Sequence, residues 1–471
     1  MVTQKRAKIG VGIIGLGTVG TGVVKVLLGQ SELLRRRLGA SLDLAGIADL
    51  DLKRDRGIRL SKKILTKNAR QIIEDPRIEI VVELMGGIHP AKEFILSAMA
   101  KGKHVVTANK ALLAAHGEEI FEAAHRYGVD IGFEGSVGGG IPIIRVLREG
   151  LSANRIESIY GIINGTSNYI LTQMTEEGKE FSEVLEEAKA AGYAEADPSL
   201  DVEGIDSAQK LAILVMLAFG TPVDFKAIYT EGITRITPLD IEYAREFGYR
   251  IKLLAIAKRV RRQGPVRGSA ARGLGSGGIG GSASGGPHGP PDIIEARVHP
   301  TMIPEDLLIA KVGGVYNGIY LVGDAVGETL FYGKGAGSLP TASAVVGDIL
   351  EIARNILKGA CGRVPAAAYQ PAERQSHALK PIEEIESLYY LRIMAQDRPG
   401  VLSKISGILG KYNISISSVI QKGRRAGRSV PVVMMTHKAL GREIRSALDE
   451  IDALPLVSGK TVLIRVEDEE E

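Results

Sequence analysis

KIGVGIIGLGTVGTGVVKVLLG, residues 8–29, decides how the first part of the chain folds. KIGVGII is a short apolar run that reads as a buried parallel strand, and the residues after the glycine turn have helical character. A GxGxxG pattern carries weight only in that setting, strand before and helix after. Gly15 permits the tight turn, Gly17 lets backbone approach a pyrophosphate, and Gly20 lets the helix pack on the strand. Thr18 and Val19 complete the cofactor-binding turn, because a helix N-terminus offers free N–H groups and a positive dipole end to phosphate. The competing reading is a glycine-rich turn without a ligand. The next strand, LDLAGIAD, ends in Asp49, where an acid hydrogen-bonds an adenosine ribose. Lys53 and Arg54 follow closely and suit a 2′-phosphate instead, so NAD and NADP both remain open.

Outward from this unit, IEIVVELMGG, GKHVVTANK and GVDIGFEGSVGGG supply further apolar strands with helical segments between them. That alternation predicts an α/β domain over 1–150, a Rossmann-type doubly wound parallel sheet. Beyond residue 150 strands and helices stop alternating singly, which predicts a separate α+β substrate and dimerisation domain over 151–339. The helix at 340–359 is expected to return to the nucleotide domain. Residues 261–291 contain no acid and little to bury, so they read as a disordered insertion in a hairpin connection. Its arginines leave an acidic partner as the alternative to a solvated tether. Residues 360–385 read as a linker, and 386–471 spell strand, helix, two strands, helix, strand, the βαββαβ ferredoxin-like order.

Composition narrows the classes. The 471 residues suit two to four domains, and a formal charge of +4 with no Trp and 8 Phe gives no basic stripe with stacking platforms, which argues against nucleic acid. The single cysteine, Cys361, closes no intrachain disulfide and fits a reducing compartment. With no base visible near it in the sequence, it reads as a bystander. No apolar run reaches the length of a membrane span. The N-terminal MVTQKRAKIGVGIIGLG imitates a signal peptide, but glycines interrupt its apolar stretch and no small-residue cleavage site follows. A cytoplasmic protein is expected.

AGYAEADPSLDVEGIDSAQKLAILVMLAFG, residues 191–220, places an acidic cluster directly before a segment apolar all round, which predicts a helix buried on every side. Asp206 and Lys210 are four apart and share one helix face. As a surface pair they would contribute only ~0.3–0.5 kcal/mol; beside a buried helix they read as a site. Lys110 follows the strand VVTAN at its carboxyl end, where open α/β sheets bind ligands. A capping lysine without further role is the alternative. His89 and His104 have no partner at metal or dyad spacing and read as local structure.

Several blocks together resemble one family. GLGTVG, VVELMGG, HVVTANKALLA, FEGSVGGGIPII, GIINGTSNYIL, GYAEADPSLDVEGIDSAQKLAIL and YGKGAGSLPTASAVVGD are similar to homoserine dehydrogenases, and DRPGVLSKISGILGKYNISISSV resembles the opening of an ACT regulatory domain. The resemblance implies NAD- or NADP-dependent reversible reduction of L-aspartate 4-semialdehyde to L-homoserine, on the route to threonine and methionine. It places Lys110, Lys210 and Asp206 in catalysis, Glu195 and Asp201 with Lys210 around the substrate, and Gly86, Lys110 and Gly335 with the cofactor. Either lysine can serve as proton donor. The resemblance also implies a monovalent cation, sodium, held by oxygens of Glu134, Val137, Gly139 and Ile141. In the ACT unit, Asp397, Pro399, Gly400 and Asn413 are implied to hold an amino-acid effector, L-threonine, in a homodimer or homotetramer; dimerisation without a ligand is the alternative. Gly135 stands where the family often has Ala, and the 261–291 insertion has no counterpart in the usual pattern. Two other readings are an amino-acid-linked dehydrogenase of the phosphoglycerate type, against which the EADP block argues, and a catalytically silent nucleotide and amino-acid sensor, against which Lys110, Asp206 and Lys210 argue.

Overall fold

The computed structural model describes residues 8–260, 292–422 and 429–468. Its first sheet comprises β1 (Lys8–Ile14), β2 (Ser41–Ala48), β3 (Leu65–Thr66), β4 (Ile80–Glu83), β5 (His104–Thr107) and β6 (Ile131–Gly132), in the order β3-β2-β1-β4-β5-β6. Every pair is parallel. Strand order reverses between β1 and β4, and a crevice at such a switch point, outside the carboxyl ends of the strands, is where this architecture takes its ligand. The chain leaves β1 into Gly15, β4 into the Met85–Gly87 turn, and β5 into Lys110, so the three segments singled out for the cofactor converge on one rim. Helix Ser338–Lys358 closes the back of this domain against helix Thr18–Gly29: a Cβ on Gly22 would stand 2.5 Å from the Ser338 carbonyl oxygen, and Ser338 Oγ donates to the Thr18 carbonyl at 2.7 Å.

The second sheet starts with β7 (Ile156–Ile162), β8 (Tyr229–Thr230), β9 (Tyr249–Val260), β10 (Ile293–Pro304), β11 (Tyr316–Gly323) and β12 (Gly327–Lys334). Its main path runs β12-β11-β7-β9-β10, all antiparallel. β9 and β10 pair from Val260 opposite Ile293, so the glycine-rich 261–291 stretch joins the ends of a hairpin, and the expectation of disorder there falls outside the described residues. Helix Ile205–Phe219 lies across this sheet with only Ile205 and Gln209 not buried. Its all-round apolar sequence has that cause: neighbours cover every face.

The C-terminal unit consists of β13 (Ala378–Leu379), β14 (Glu386–Gln396), β15 (Ile416–Gln421), β16 (Ser429–Thr436), β17 (Ala439–Leu440) and β18 (Val462–Val466), with helices Val401–Lys411 and Gly441–Asp452. Its sheet order β18-β14-β16-β15 is the ferredoxin-like arrangement. This sheet continues the preceding one. The outer edge of β10 is covered in three pieces, by β13 at Ile293 and Ile294, by β8 at Arg297 and Val298, and by β18 at Thr301 and Met302. The 360–385 stretch is packed as well, with Tyr369 Oη donating to the Ala218 carbonyl at 3.0 Å and Thr221 Oγ1 to the Gln375 carbonyl at 2.8 Å.

Buried charges fasten the junction. Arg297 on β10 is 1% exposed and pairs with Glu295 at 2.5 Å and with Glu467 just beyond β18. Lys258 on β9 reaches the same Glu467 at 2.5 Å. Arg392 on β14 donates to both oxygens of the fully buried Asp240, at 2.6 and 3.0 Å. Stripping one partner from a buried pair leaves an uncompensated charge. Glu467→Gln is therefore expected to cost about 3 kcal/mol, read as a lower urea midpoint of the full chain; an unchanged midpoint would mean that Glu295 alone holds Arg297.

Candidate active site

Helix Lys110–Tyr127 begins at the rim of the parallel sheet, with Asn109 Oδ1 accepting the Leu112 N–H at 3.1 Å as its cap. Glu83, fully buried at the end of β4, accepts Thr107 Oγ1 at 2.7 Å and the Met85 N–H at 2.8 Å, tying the turns after β4 and β5 together. Burial pushes its pKa up, against those hydrogen bonds. Lys110 is thereby presented toward the second domain. From the opposite side, Gly204, with φ +82°, starts helix Ile205–Phe219 and sets Asp206 in its first turn.

Asp206 is 4% exposed and meets both lysines. Lys110 Nζ lies 2.6 Å from Oδ1, an ion pair off the hydrogen-bond direction, and Lys210 Nζ lies 2.7 Å from Oδ2. Lys210 donates further to the Ile163 carbonyl at 2.6 Å. Asn164 Nδ2 reaches Asp206 Oδ2 at 2.9 Å and Asp201 Oδ1 at 2.7 Å. The lysines differ in freedom, since the side chain of Lys110 is 42% exposed and that of Lys210 10%. Burial alone would raise the Asp206 carboxyl, but the ammonium groups of Lys210 and Lys110 overcome it and hold the group well below the usual carboxylate range. For Lys210 burial wins and lowers the pKa; for Lys110 burial is outweighed by Asp206, Asp201 and Glu195, and the pKa is raised. Asp201 is half-buried and Glu195 exposed, and Glu195 acts on Lys110 through its field, not through contact.

The glycine turn matches the three separate demands made on it. Gly15 has φ +100°, and a Cβ there would stand 2.6 Å from the Leu84 carbonyl carbon; at Gly20 it would stand 2.1 Å from the Gly15 oxygen; at Gly17 it would meet nothing within 4 Å. Gly17, Thr18 and Val19 thus border open space at the head of a 12-residue helix. Gly86 has φ +74° and donates its N–H to Glu83. Gly335 lies against Asn317, whose Oδ1 would be 1.5 Å from an added Cβ. Lys53 and Arg54 are exposed, and the residue that reaches Asp49 is Arg56, whose Nη2 lies 3.1 Å from Oδ1 and whose Nε donates to the Leu16 carbonyl at 2.6 Å. The Asp51 loop turns the guanidinium back over the acid, a fold-over invisible in the spacing.

A family model described as "Homoserine dehydrogenase" matches residues 142–350, one described as "Homoserine dehydrogenase, NAD binding domain" matches 15–134, and "ACT domain" matches 389–456. The homoserine dehydrogenase of Neisseria gonorrhoeae is 46% identical over 98% of both chains. The chain belongs to the homoserine dehydrogenase family. The crystal structure of a homoserine dehydrogenase from Thiobacillus denitrificans superposes with a TM-score of 0.86 at 46% identity, covering 98% of each chain. A hyperthermophilic archaeal homoserine dehydrogenase solved in complex with NADPH covers 73% of this chain and 97% of its own, with a TM-score of 0.58 at 26% identity. As a homoserine dehydrogenase, this chain is an oxidoreductase that interconverts L-aspartate 4-semialdehyde and L-homoserine with a nicotinamide cofactor.

The remaining homoserine dehydrogenase positions lie apart from the lysines. Both oxygens of Glu134 accept backbone N–H groups, Ile144 at 2.8 Å and Arg145 at 2.9 Å, and the Ile141 carbonyl accepts the Ile143 N–H at 2.8 Å. Val137 is buried, and Gly139, at φ +55°, packs against Gly335. His89 forms an exposed pair with Glu93 at 2.6 Å. His104 Nε2, contrary to the expectation of an isolated cysteine, lies 3.8 Å from Cys361 Sγ with Asp130 beside it. A metal does not suit this trio: His104 Nδ1 accepts the Asp130 N–H at 2.9 Å, which leaves the proton on the nitrogen that would have to bind it. In the ACT unit Gly400, at φ +86°, precedes helix Val401–Lys411, Asp397 and Pro399 lie in the turn before it, and Asn413 follows the helix at φ +58°.

Burial, with Asp348 close by, raises the Glu134 carboxyl from 4.5 to about 7. The folded chain then binds more protons than the unfolded chain between those values, so this group's contribution to stability is lost as pH rises through about 7. Glu134→Gln is expected to flatten the fall in melting temperature over that interval, measured by calorimetry in buffers of constant ionic strength; an unaltered slope would assign the fall to other groups such as Asp348.

Proposed function

We propose that Lys110 exchanges the proton and that Lys210 and Asp206 orient it, a reading carried by the unequal sharing of one buried carboxylate between two lysines. When bound, the nicotinamide supplies or accepts the hydride. Reduction of the aldehyde carbon leaves negative charge on its oxygen, and a positioned ammonium meets that need. Lys110 is the better placed of the two, because it faces the cleft with a single carboxylate partner, whereas Lys210 is spent on Asp206 and the Ile163 carbonyl. The Lys110 ammonium gives its proton to the alkoxide and regains one from solvent; homoserine oxidation runs the same transfer backward. Glu195 and Asp201 take the substrate ammonium, and Gly15, Gly17, Thr18, Val19, Gly20, Asp49, Gly86 and Gly335 frame the cofactor. A silent sensor has no use for two lysines on one buried acid.

The donor set of Glu134, Val137, Gly139 and Ile141 suits a hard monovalent cation such as sodium, because each carboxylate oxygen keeps a second lone pair after accepting its N–H. Replacing sodium by choline at constant ionic strength is then expected to lower the melting temperature by several degrees, and equal values in the two salts would refute the site. The ACT unit is proposed to bind L-threonine at Asp397, Pro399, Gly400 and Asn413, in a homo-oligomer working in the cytoplasm. Asn413→Gly keeps the positive φ and removes the amide; it should abolish threonine inhibition and the heat of threonine binding to the full chain while leaving uninhibited turnover intact. Threonine sensitivity equal to that of the parent would leave dimerisation as the unit's role.

For the catalytic reading the decisive comparison is of Lys110→Met with Lys210→Met, assayed by nicotinamide absorbance with homoserine and with aspartate semialdehyde. Lys110→Met should lose about 10² or more in kcat at little cost in homoserine KM, and Lys210→Met should lose kcat and raise KM together. Near-normal kcat in Lys110→Met would reassign the proton.

A further inference from the structure

Asn164 stands where strand β7 gives way to helix Gly165–Glu177, is 5% exposed, and has each of its polar atoms engaged. Its orientation is fixed by its surroundings. Oδ1 accepts the Ser167 N–H at 2.8 Å as the helix cap, and Nδ2 donates to Asp201 Oδ1 and Asp206 Oδ2. A flipped amide would set an oxygen against two carboxylate oxygens and an NH2 against an N–H, so only one arrangement is compatible with the site.

We propose that Asn164 is a positioning residue that decides which lysine exchanges the proton. One of its N–H groups draws Asp206 Oδ2 to the side where the carbonyl of the preceding residue, Ile163, already holds Lys210, while the other is anchored on Asp201 Oδ1. Lys210 is thereby fixed between a carbonyl and a carboxylate oxygen, and Oδ1 is turned to Lys110 alone. The same amide lies between the Asp201 and Asp206 carboxylates and donates to both, so two acids share one pocket wall without facing each other bare. The charged groups acting on Lys110 are Asp206 from helix Ile205–Phe219, Asp201 from the short helix Ser199–Val202, Glu195 from the loop before it, and Lys210 from behind Asp206.

This inference rests on the assignment of the proton to Lys110, and Asn164→Asp tests it separately from that assignment. Aspartate caps a helix as well as asparagine does, so the fold keeps its cap, while two donors are exchanged for a third carboxylate. In homoserine oxidation, where the proton acceptor must be neutral, kcat is expected to fall at least about tenfold. The rising limb of its pH profile, along which Lys110 loses its proton, should move up by roughly one pH unit, since added negative charge favours the ammonium. Asn164→Ser retains a capping oxygen without the added charge; it should lower kcat with the limb in place and with cofactor KM unchanged, which a merely structural defect would not produce. If Asn164→Asp fails to fold, the kcat of folded Asn164→Ser decides alone. Wild-type kcat and an unmoved limb in a folded variant would overturn the role of Asn164. Survival of the limb in Lys110→Met would instead overturn the assignment of the proton to Lys110.

Discussion

The site depends on one buried carboxylate that answers two ammonium groups. Asp206 has almost no water to solvate it, and its charge persists because Lys110 and Lys210 occupy opposite oxygens. Two ammonium groups on one carboxylate leave Lys110 free to offer its charge outward, which suits chemistry that places negative charge on a substrate oxygen and then removes it. The dependence runs in both directions: Lys210 is buried as well, and without Asp206 its ammonium would keep only the Ile163 carbonyl of its two hydrogen-bond partners.

Three separate pieces of chain meet at that carboxylate. Lys110 arrives from the end of β5, Asp206 and Lys210 from a helix apolar on every face, and Ile163 and Asn164 from the end of β7. None of these supports is a free loop. A strand end capped into a helix offers a fixed backbone direction, and the fully covered helix has nowhere to rotate, so the ångström-scale placement that proton transfer requires follows from packing.

What could be read from the sequence alone follows from the distances over which each constraint acts. The glycine turn was legible because its demands are local: φ at Gly15, contact of Gly20 with Gly15, and open space at Gly17 all fall within six residues. The burial of helix Ile205–Phe219 was legible because its composition breaks amphipathic periodicity. Asn164 was not legible as a site residue, since its carboxylate partners lie 37 and 42 residues away. The contact of Arg56 with Asp49 was not legible, because a turning loop, not local spacing, brings the guanidinium back to the acid. The approach of His104 to Cys361 spans 257 residues, and no local pattern encodes it. The 2-to-1 sharing of Asp206 was half visible: the helix spacing gave Lys210, and only the domain arrangement brings Lys110.

The tiled outer edge of β10 bears on how the chain can be divided. β13, β8 and β18 each cover a different stretch of that edge, and Glu467 beyond β18 neutralises Arg297 beneath it. Cutting the chain before the C-terminal unit would therefore bare a strand edge and take from the buried Arg297 one of its two carboxylates at the same time. The unit is not a detachable appendage; its last strand is part of the catalytic half's own wall. Residues such as Gly400 and Asn413, which take no part in covering β10, can change far more readily than the strand that serves as masonry.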